Sequence, residues 1–252
     1  MATVRPLIEL AASFDRAEVL VLCYHPIRNL DRFGAHMSVL GERGYSVLSM
    51  AEFMACVRGG KPSRSPAVLL TIDGWYPADF ASAVPILKSY GFPAVFFLVS
   101  SCLSDESGET SMQYRKELLE LASMGYTIGC HSHTHQDLTT VSMAELEQEV
   151  MGSRKLLEQV LGQRVDTFCY PYGAWDSRVA SVVKKAGFDV AFTVDLGGVS
   201  AGDDPYQLKR VPILGEPGSR EFATYLSGTV VRSGAILLYW KLRERLLDLR
   251  HR

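Results

Sequence analysis

Short apolar runs recur along this chain, and most of them are followed by a stretch with helical spacing. Val19-Leu20-Val21-Leu22-Cys23-Tyr24-His25 is a continuous run of the kind that a sheet buries on both faces. Pro26 ends it, because proline cannot donate to a strand ladder. Residues 30–43 then carry apolar side chains at helical spacing and stop at Gly44. After the short strand Ser46-Val47-Leu48, the capping box Ser49-Met50-Ala51-Glu52 opens another helix that ends before Gly59-Gly60. The alternation continues with strands at 67–72, 93–99, 126–128, 167–170, 190–194 and 208–214. Between them lie helices at 77–90, 112–124, 142–161 and from Asp176 to Gly187. Such an order predicts parallel strands joined by crossover helices, hence a (β/α) barrel or a doubly wound sheet.

A chain of 252 residues, 47% of them hydrophobic, can fill one large α/β barrel or two small domains. No linker, composition break or internal repeat divides it, so one domain over residues 1–228 is expected. Residues 229–252 set Leu242, Leu246 and Leu249 against Lys241, Arg243, Arg245 and Arg250. That pattern reads as a basic amphipathic helix packed on the barrel or extending from it. It is too short and too charged to span a bilayer, leaving contact with a membrane surface or self-association as the alternative. The net charge of −2 is spread without a basic block, which argues against nucleic acid as a partner. Arg5, Glu9, Asp15, Arg16 and Glu18 interrupt any apolar leader, and five cysteines follow no framework spacing. Both observations point to a cytoplasmic protein with reduced thiols, Cys130 and Cys169 among them as small buried hydrophobes.

Chemistry concentrates at Gly129-Cys130-His131-Ser132-His133-Thr134-His135, three histidines within five residues on a strand-to-helix loop. Neutral imidazoles suit zinc and its neighbours; solvated histidines on a polar loop are the plainer reading. In a parallel barrel, functional groups collect at the carboxyl ends of the strands. Those ends carry His25, Asp73, the histidine loop and Tyr170-Pro171-Tyr172-Gly173. One carboxylate and two histidines with an open position make a hydrolytic metal site, and a tight Pro-Tyr-Gly turn can aim a backbone N–H at an oxyanion.

These residues, in this order, resemble the polysaccharide deacetylases of carbohydrate esterase family 4, the NodB homology domain. His131-Ser132-His133-Thr134-His135 is similar to the family's His-Ser/Thr-x-x-His motif, and Phe168-Cys169-Tyr170-Pro171-Tyr172-Gly173 to its Pro-Tyr-Gly turn. Tyr24-His25-Pro26-Ile27, with Phe33, Gly44-Tyr45 and Leu48-Ser49, resembles the branch that includes poly-N-acetylglucosamine deacetylases. The likeness runs over residues 19–226. It implies a deformed (β/α) barrel in a single domain that removes acetyl from an N-acetylated carbohydrate with a divalent metal, zinc being expected. By the same resemblance His131 and His135 are metal ligands, the Tyr172 amide holds the oxyanion, and His25 acts as acid or orients a partner; His133, pointing the other way from the two ligands in any regular backbone, either supports a ligand from behind or is structural. Trp75, Tyr76, Tyr170 and Pro171 flank these positions as expected contacts to the sugar.

The chain also departs from the family. Where the family has Thr-Phe-Asp-Asp-Gly, with a base followed by a metal ligand, this chain reads Thr71-Ile72-Asp73-Gly74-Trp75. Aligned without a gap, Asp73 is the base and Gly74 replaces the ligand. Aligned on Asp-Gly-Trp, Asp73 is the ligand and the base is missing. The ungapped alignment keeps the distance to Ala83-Val84-Pro85-Ile86-Leu87 and is preferred. The arginine that often precedes the Pro-Tyr-Gly turn is replaced by Cys169, and the family's closing Leu-x-His has no counterpart beyond Tyr239. Two alternatives to the deacetylase therefore stand: a catalytically degenerate barrel that binds a glycan or a partner, and a metal-independent C–N hydrolase on the same fold.

Overall fold

The computed structural model describes residues 14, 17–25, 27–62, 64–104 and 108–227. The expected helix at 229–252 and Tyr239 lie outside the described residues. Eight parallel strands form one sheet: β1 (Val19–Tyr24), β2 (Ser46–Val47), β3 (Ala67–Gly74), β4 (Val95–Leu98), β5 (Thr127–Cys130), β6 (Thr167–Cys169), β7 (Val190–Leu196) and β8 (Leu208–Pro212). Pairing of β1 with both β3 and β8 closes seven of them into a barrel. β2 stands outside the ring, pairing only with Ala67 and Val68 at the start of β3, while β4 pairs with Thr71 to Gly74 at its end. The barrel expected from the resemblance is therefore present, and closure decides against the doubly wound sheet.

Helices α1 (Leu30–Glu42), α2 (Met50–Val57), α3 (Ala78–Ala81), α4 (Val84–Tyr90), α5 (Glu109–Ser123), α6 (Met143–Glu147), α7 (Ser153–Leu161), α8 (Ser177–Lys185) and α9 (Ser219–Leu226) surround the strands. Ser49 with Glu52 and Ser142 with Glu145 form both capping boxes read in the sequence. Two expected helices are broken. The one at 77–90 divides into α3 and α4, and the one at 142–161 is interrupted by a π-helical turn, Gln148–Gly152, between α6 and α7. Helix α9 is an addition that the apolar pattern did not bring out. None of the described helices is long and apolar enough to cross a membrane.

Strand alternation sorts the side chains into two apolar clusters. Leu20, Leu22, Val68, Leu70, Ile72, Phe96 and Phe168 pack outward against the helices. Val19, Val21, Leu69, Val95, Phe97, Cys169, Phe192 and Leu208 fill the barrel. The same alternation carries Asp73, two residues beyond Thr71 and four beyond Leu69, to the inner face near the carboxyl end of β3, and Arg210 to the inner face of β8. Both are buried among apolar neighbours, which requires that they be paired.

Candidate active site

Arg210 reaches across the barrel and grips Asp73 with both arms: Nη1 donates to Oδ1 at 2.8 Å and Nη2 to Oδ2 at 2.9 Å. Its Nε donates to the Thr193 carbonyl at 2.7 Å, and Nη2 also meets Cys169 Sγ at 3.0 Å. The thiols of Cys23 and Cys169 flank Asp73 Oδ2 at 3.6 and 3.5 Å. Burial by itself would push the Asp73 carboxyl up, but the Arg210 guanidinium and the neighbouring His131 hold it well below the usual carboxylate range. Burial drives the Cys169 thiol far up, so it stays protonated beside that carboxylate. The local sequence pattern makes Cys169 a small buried hydrophobe and does not single out Arg210. The signal was present, since Leu208-x-Arg210 puts the arginine on the same face of β8 as a core leucine.

His131 follows β5 and points inward. Its Nδ1–H donates to the Cys169 carbonyl at 2.8 Å, which leaves Nε2 as the free lone pair. Burial lowers its pKa to about 4, so the ring is neutral at neutral pH. His135 lies edge-on to His131 at 4.7 Å between ring centres and edge-on to Tyr172 at 4.6 Å. Burial lowers its pKa as well, and its buried Nδ1 has no hydrogen-bond partner. A neutral imidazole held by a carbonyl through its other nitrogen, next to a second with an orphaned buried nitrogen, is a donor set that fits a divalent metal. Asp73, His131 and Cys169 also offer ligand atoms within 4.8 Å of one another. In that trio, however, the thiol is protonated and, with Asp73, already bonded to Arg210.

His133 does not join them: its Nδ1 meets Ser100 Oγ at 2.9 Å. His25 stands exposed at the end of β1, near enough for its charge to act on both Asp73 and His135. Trp75 is 44% exposed, with its ring 5.2 Å from that of His135, and the neighbouring Tyr76 lies against Tyr114. The two Trp75 and Tyr76 amides are pinned by Asp79 Oδ2. Tyr170, expected to touch the sugar, instead turns into the outer core and donates its hydroxyl to the Tyr206 carbonyl at 3.0 Å. Pro171 is buried too, and Tyr172 takes a left-handed backbone, φ 58°, in the turn that follows.

Two glycines fix local shape. A Cβ at Gly173 would fall 2.0 Å from Val194 Cγ2, so this turn can close only on glycine. A Cβ at Gly74 would fall 2.6 Å from Phe80 Cε1 and 2.9 Å from Phe80 Cζ. The position where the ungapped alignment loses its acidic ligand is thus closed by an aromatic ring.

Residues 60–191 match the family model described as polysaccharide deacetylase. The chain belongs to the polysaccharide deacetylase family. Among relatives in that family, YxkH of Bacillus subtilis (strain 168), whose name assigns it to the polysaccharide deacetylases, is 26% identical over 83% of this chain and 76% of its own length. The poly-beta-1,6-N-acetyl-D-glucosamine N-deacetylase of Staphylococcus aureus (strain MRSA252) is 26% identical over 72% of this chain, which spans 66% of that enzyme. Among solved structures, the Streptococcus pyogenes deacetylase PplD in complex with acetate shares the fold at a TM-score of 0.75 and 22% identity, over 82% of this chain and 97% of that one. IcaB from Ammonifex degensii does so at 0.70 and 20%, over 84% and 97%. The deacetylase resemblance read from the histidine loop and the Pro-Tyr-Gly turn is therefore correct at the level of family and fold.

Proposed function

We propose that this chain removes acetyl from an N-acetylated sugar or saccharide by metal-assisted hydrolysis of the amide. The observation that carries the reading is the convergence of Asp73, His131 and His135 at one mouth of the barrel, with the two rings 4.7 Å apart and a buried His135 nitrogen unpartnered. His131 and His135 would hold the ion. A bound divalent metal such as zinc supplies acidity to water and polarises the acetyl carbonyl.

In this account Asp73 takes the base position of the ungapped alignment. Its carboxylate is kept ionised by Arg210 and accepts a proton from the attacking water. The water oxygen bonds to the acetyl carbon, and the Tyr172 amide stabilises the oxyanion as the carbonyl opens. His25, on the same mouth, protonates the sugar nitrogen as the C–N bond breaks, so that amide and water become acetate and amine. Trp75 offers an exposed aromatic face beside His135 for the sugar ring, and the exposed Tyr76 follows it in sequence.

The Staphylococcus relative is named for poly-beta-1,6-N-acetyl-D-glucosamine, so β-1,6-linked N-acetylglucosamine oligosaccharides are the first substrates to offer. Acetate release from them by the zinc-supplied protein, abolished in Asp73→Asn, is the expected result. A second reading follows from Gly74, whose closure by Phe80 leaves no room for a second acid. It makes the chain a saccharide-binding barrel without turnover, and saturable oligosaccharide binding with no acetate release would establish it.

A further inference from the structure

Glu149 is 4% exposed, yet no ion pair neutralises it among the described residues. Its Oε2 accepts the backbone N–H of His133 at 2.9 Å and of Thr134 at 2.8 Å, and its Oε1 accepts the Thr134 hydroxyl at 2.5 Å. All three bonds fall on the residues between His131 and His135. Glu149 comes from the π-helical turn Gln148–Gly152, where the extra residue in the helix displaces the normal i to i−4 pattern. The loop it grips is conformationally costly: Ser132 and His135 both adopt left-handed backbones, φ 64° and 60°, which side-chain-bearing residues disfavour. Ser132 Oγ adds one bond from the His135 N–H at 3.0 Å.

A buried carboxylate costs several kcal/mol in desolvation unless its donors compensate. Neutral side chains could satisfy two amides and a hydroxyl more cheaply. A negative charge bonded to the loop between the two histidines does what a neutral group cannot, since its field reaches the His135 ring and favours a cation there. We propose that Glu149 is a positioning residue for the metal: it locks the 132–135 loop in its left-handed form, so that His131 and His135 face one another, and adds its negative charge on the His135 side. This rests on the reading that those two histidines hold the ion.

The test is zinc affinity measured calorimetrically on the wild-type chain, Glu149→Gln, Glu149→Ala and Thr134→Val, with hydrogen exchange at the His133 and Thr134 amides. Loss of an outer partner of a metal ligand weakens affinity by roughly 10- to 100-fold, and that is the expectation for Glu149→Ala, with loss of exchange protection. Glu149→Gln keeps an acceptor but not the charge and should fall in between. Thr134→Val, which removes one bond of three, should weaken zinc binding only a few-fold and serves if Glu149→Ala does not fold. Zinc bound equally tightly by the wild type and the folded variants would overturn the role of Glu149 alone. No zinc uptake by the wild-type chain would overturn the metal reading with it.

Discussion

Arg210 and Asp73 meet in a two-pronged ion pair, 2.8 and 2.9 Å, at the centre of a closed barrel where the arginine is 0% and the aspartate 4% exposed. Taking one partner from such a pair leaves an uncompensated charge in an apolar setting. Arg210→Met is expected to lower the free energy of unfolding by about 3–5 kcal/mol, read from denaturant titration. Asp73→Asn in the Arg210→Met background should cost much less than it does alone. Costs that simply add would mean that the pair is not coupled.

Gly74 carries a steric consequence. With Phe80 carbons 2.6 and 2.9 Å from any added Cβ, Gly74→Ala should destabilise the chain by about 1–3 kcal/mol, as overpacking does. Phe80→Leu in the same chain should return part of that loss. Thermal unfolding of the three variants checks it, and a Gly74→Ala protein as stable as the parent would contradict the packing described.

Much of this was legible in the sequence. The apolar runs gave the strands, Ser49 and Ser142 with their glutamates gave two helix starts, and the histidine loop gave the site its place. Barrel closure was not readable from local pattern, because it depends on β1 pairing with β3 and β8, partners far away in sequence. Arg210 was passed over because an arginine inside an apolar strand is conspicuous only once its carboxylate partner, 137 residues earlier, is known. Tyr170 was read as a sugar contact from its place beside the turn, but the alternation of β6 sends it outward and its hydroxyl finds the Tyr206 carbonyl. Glu149 was hidden by a helix whose π-helical turn no propensity announces.

His36 supplies a pH dependence away from the site. Its Nε2 donates to the Pro217 carbonyl at 2.7 Å and its ring stacks on Phe222 at 4.1 Å. Burial lowers its pKa, more than the Pro217 hydrogen bond raises it, so the folded chain binds this proton less readily than the unfolded chain does. Its contribution is therefore complete above the unfolded value of about 6.5 and is lost as pH falls toward the lower folded value. Between pH 7.5 and 5.5 the wild type should lose more unfolding free energy than His36→Gln. Parallel curves would contradict it.

Trp75 tests the sugar side of the account. With 44% of its surface open and its ring 5.2 Å from that of His135, it is placed to stack on a sugar without taking part in proton transfer. Trp75→Ala should raise KM roughly two- to tenfold, the worth of one aromatic contact, and leave kcat nearly unchanged. A fall in kcat at constant KM would assign it another task.

We assign hydrolysis to a site built by His131, His135 and Asp73. Its most direct measurement is acetate released from β-1,6-linked N-acetylglucosamine oligosaccharides by the chelator-stripped chain, the zinc-restored chain and a zinc-supplied His135→Ala variant. Release by the restored chain alone is the expected result. Equal release by all three, or none from the restored chain, would contradict it.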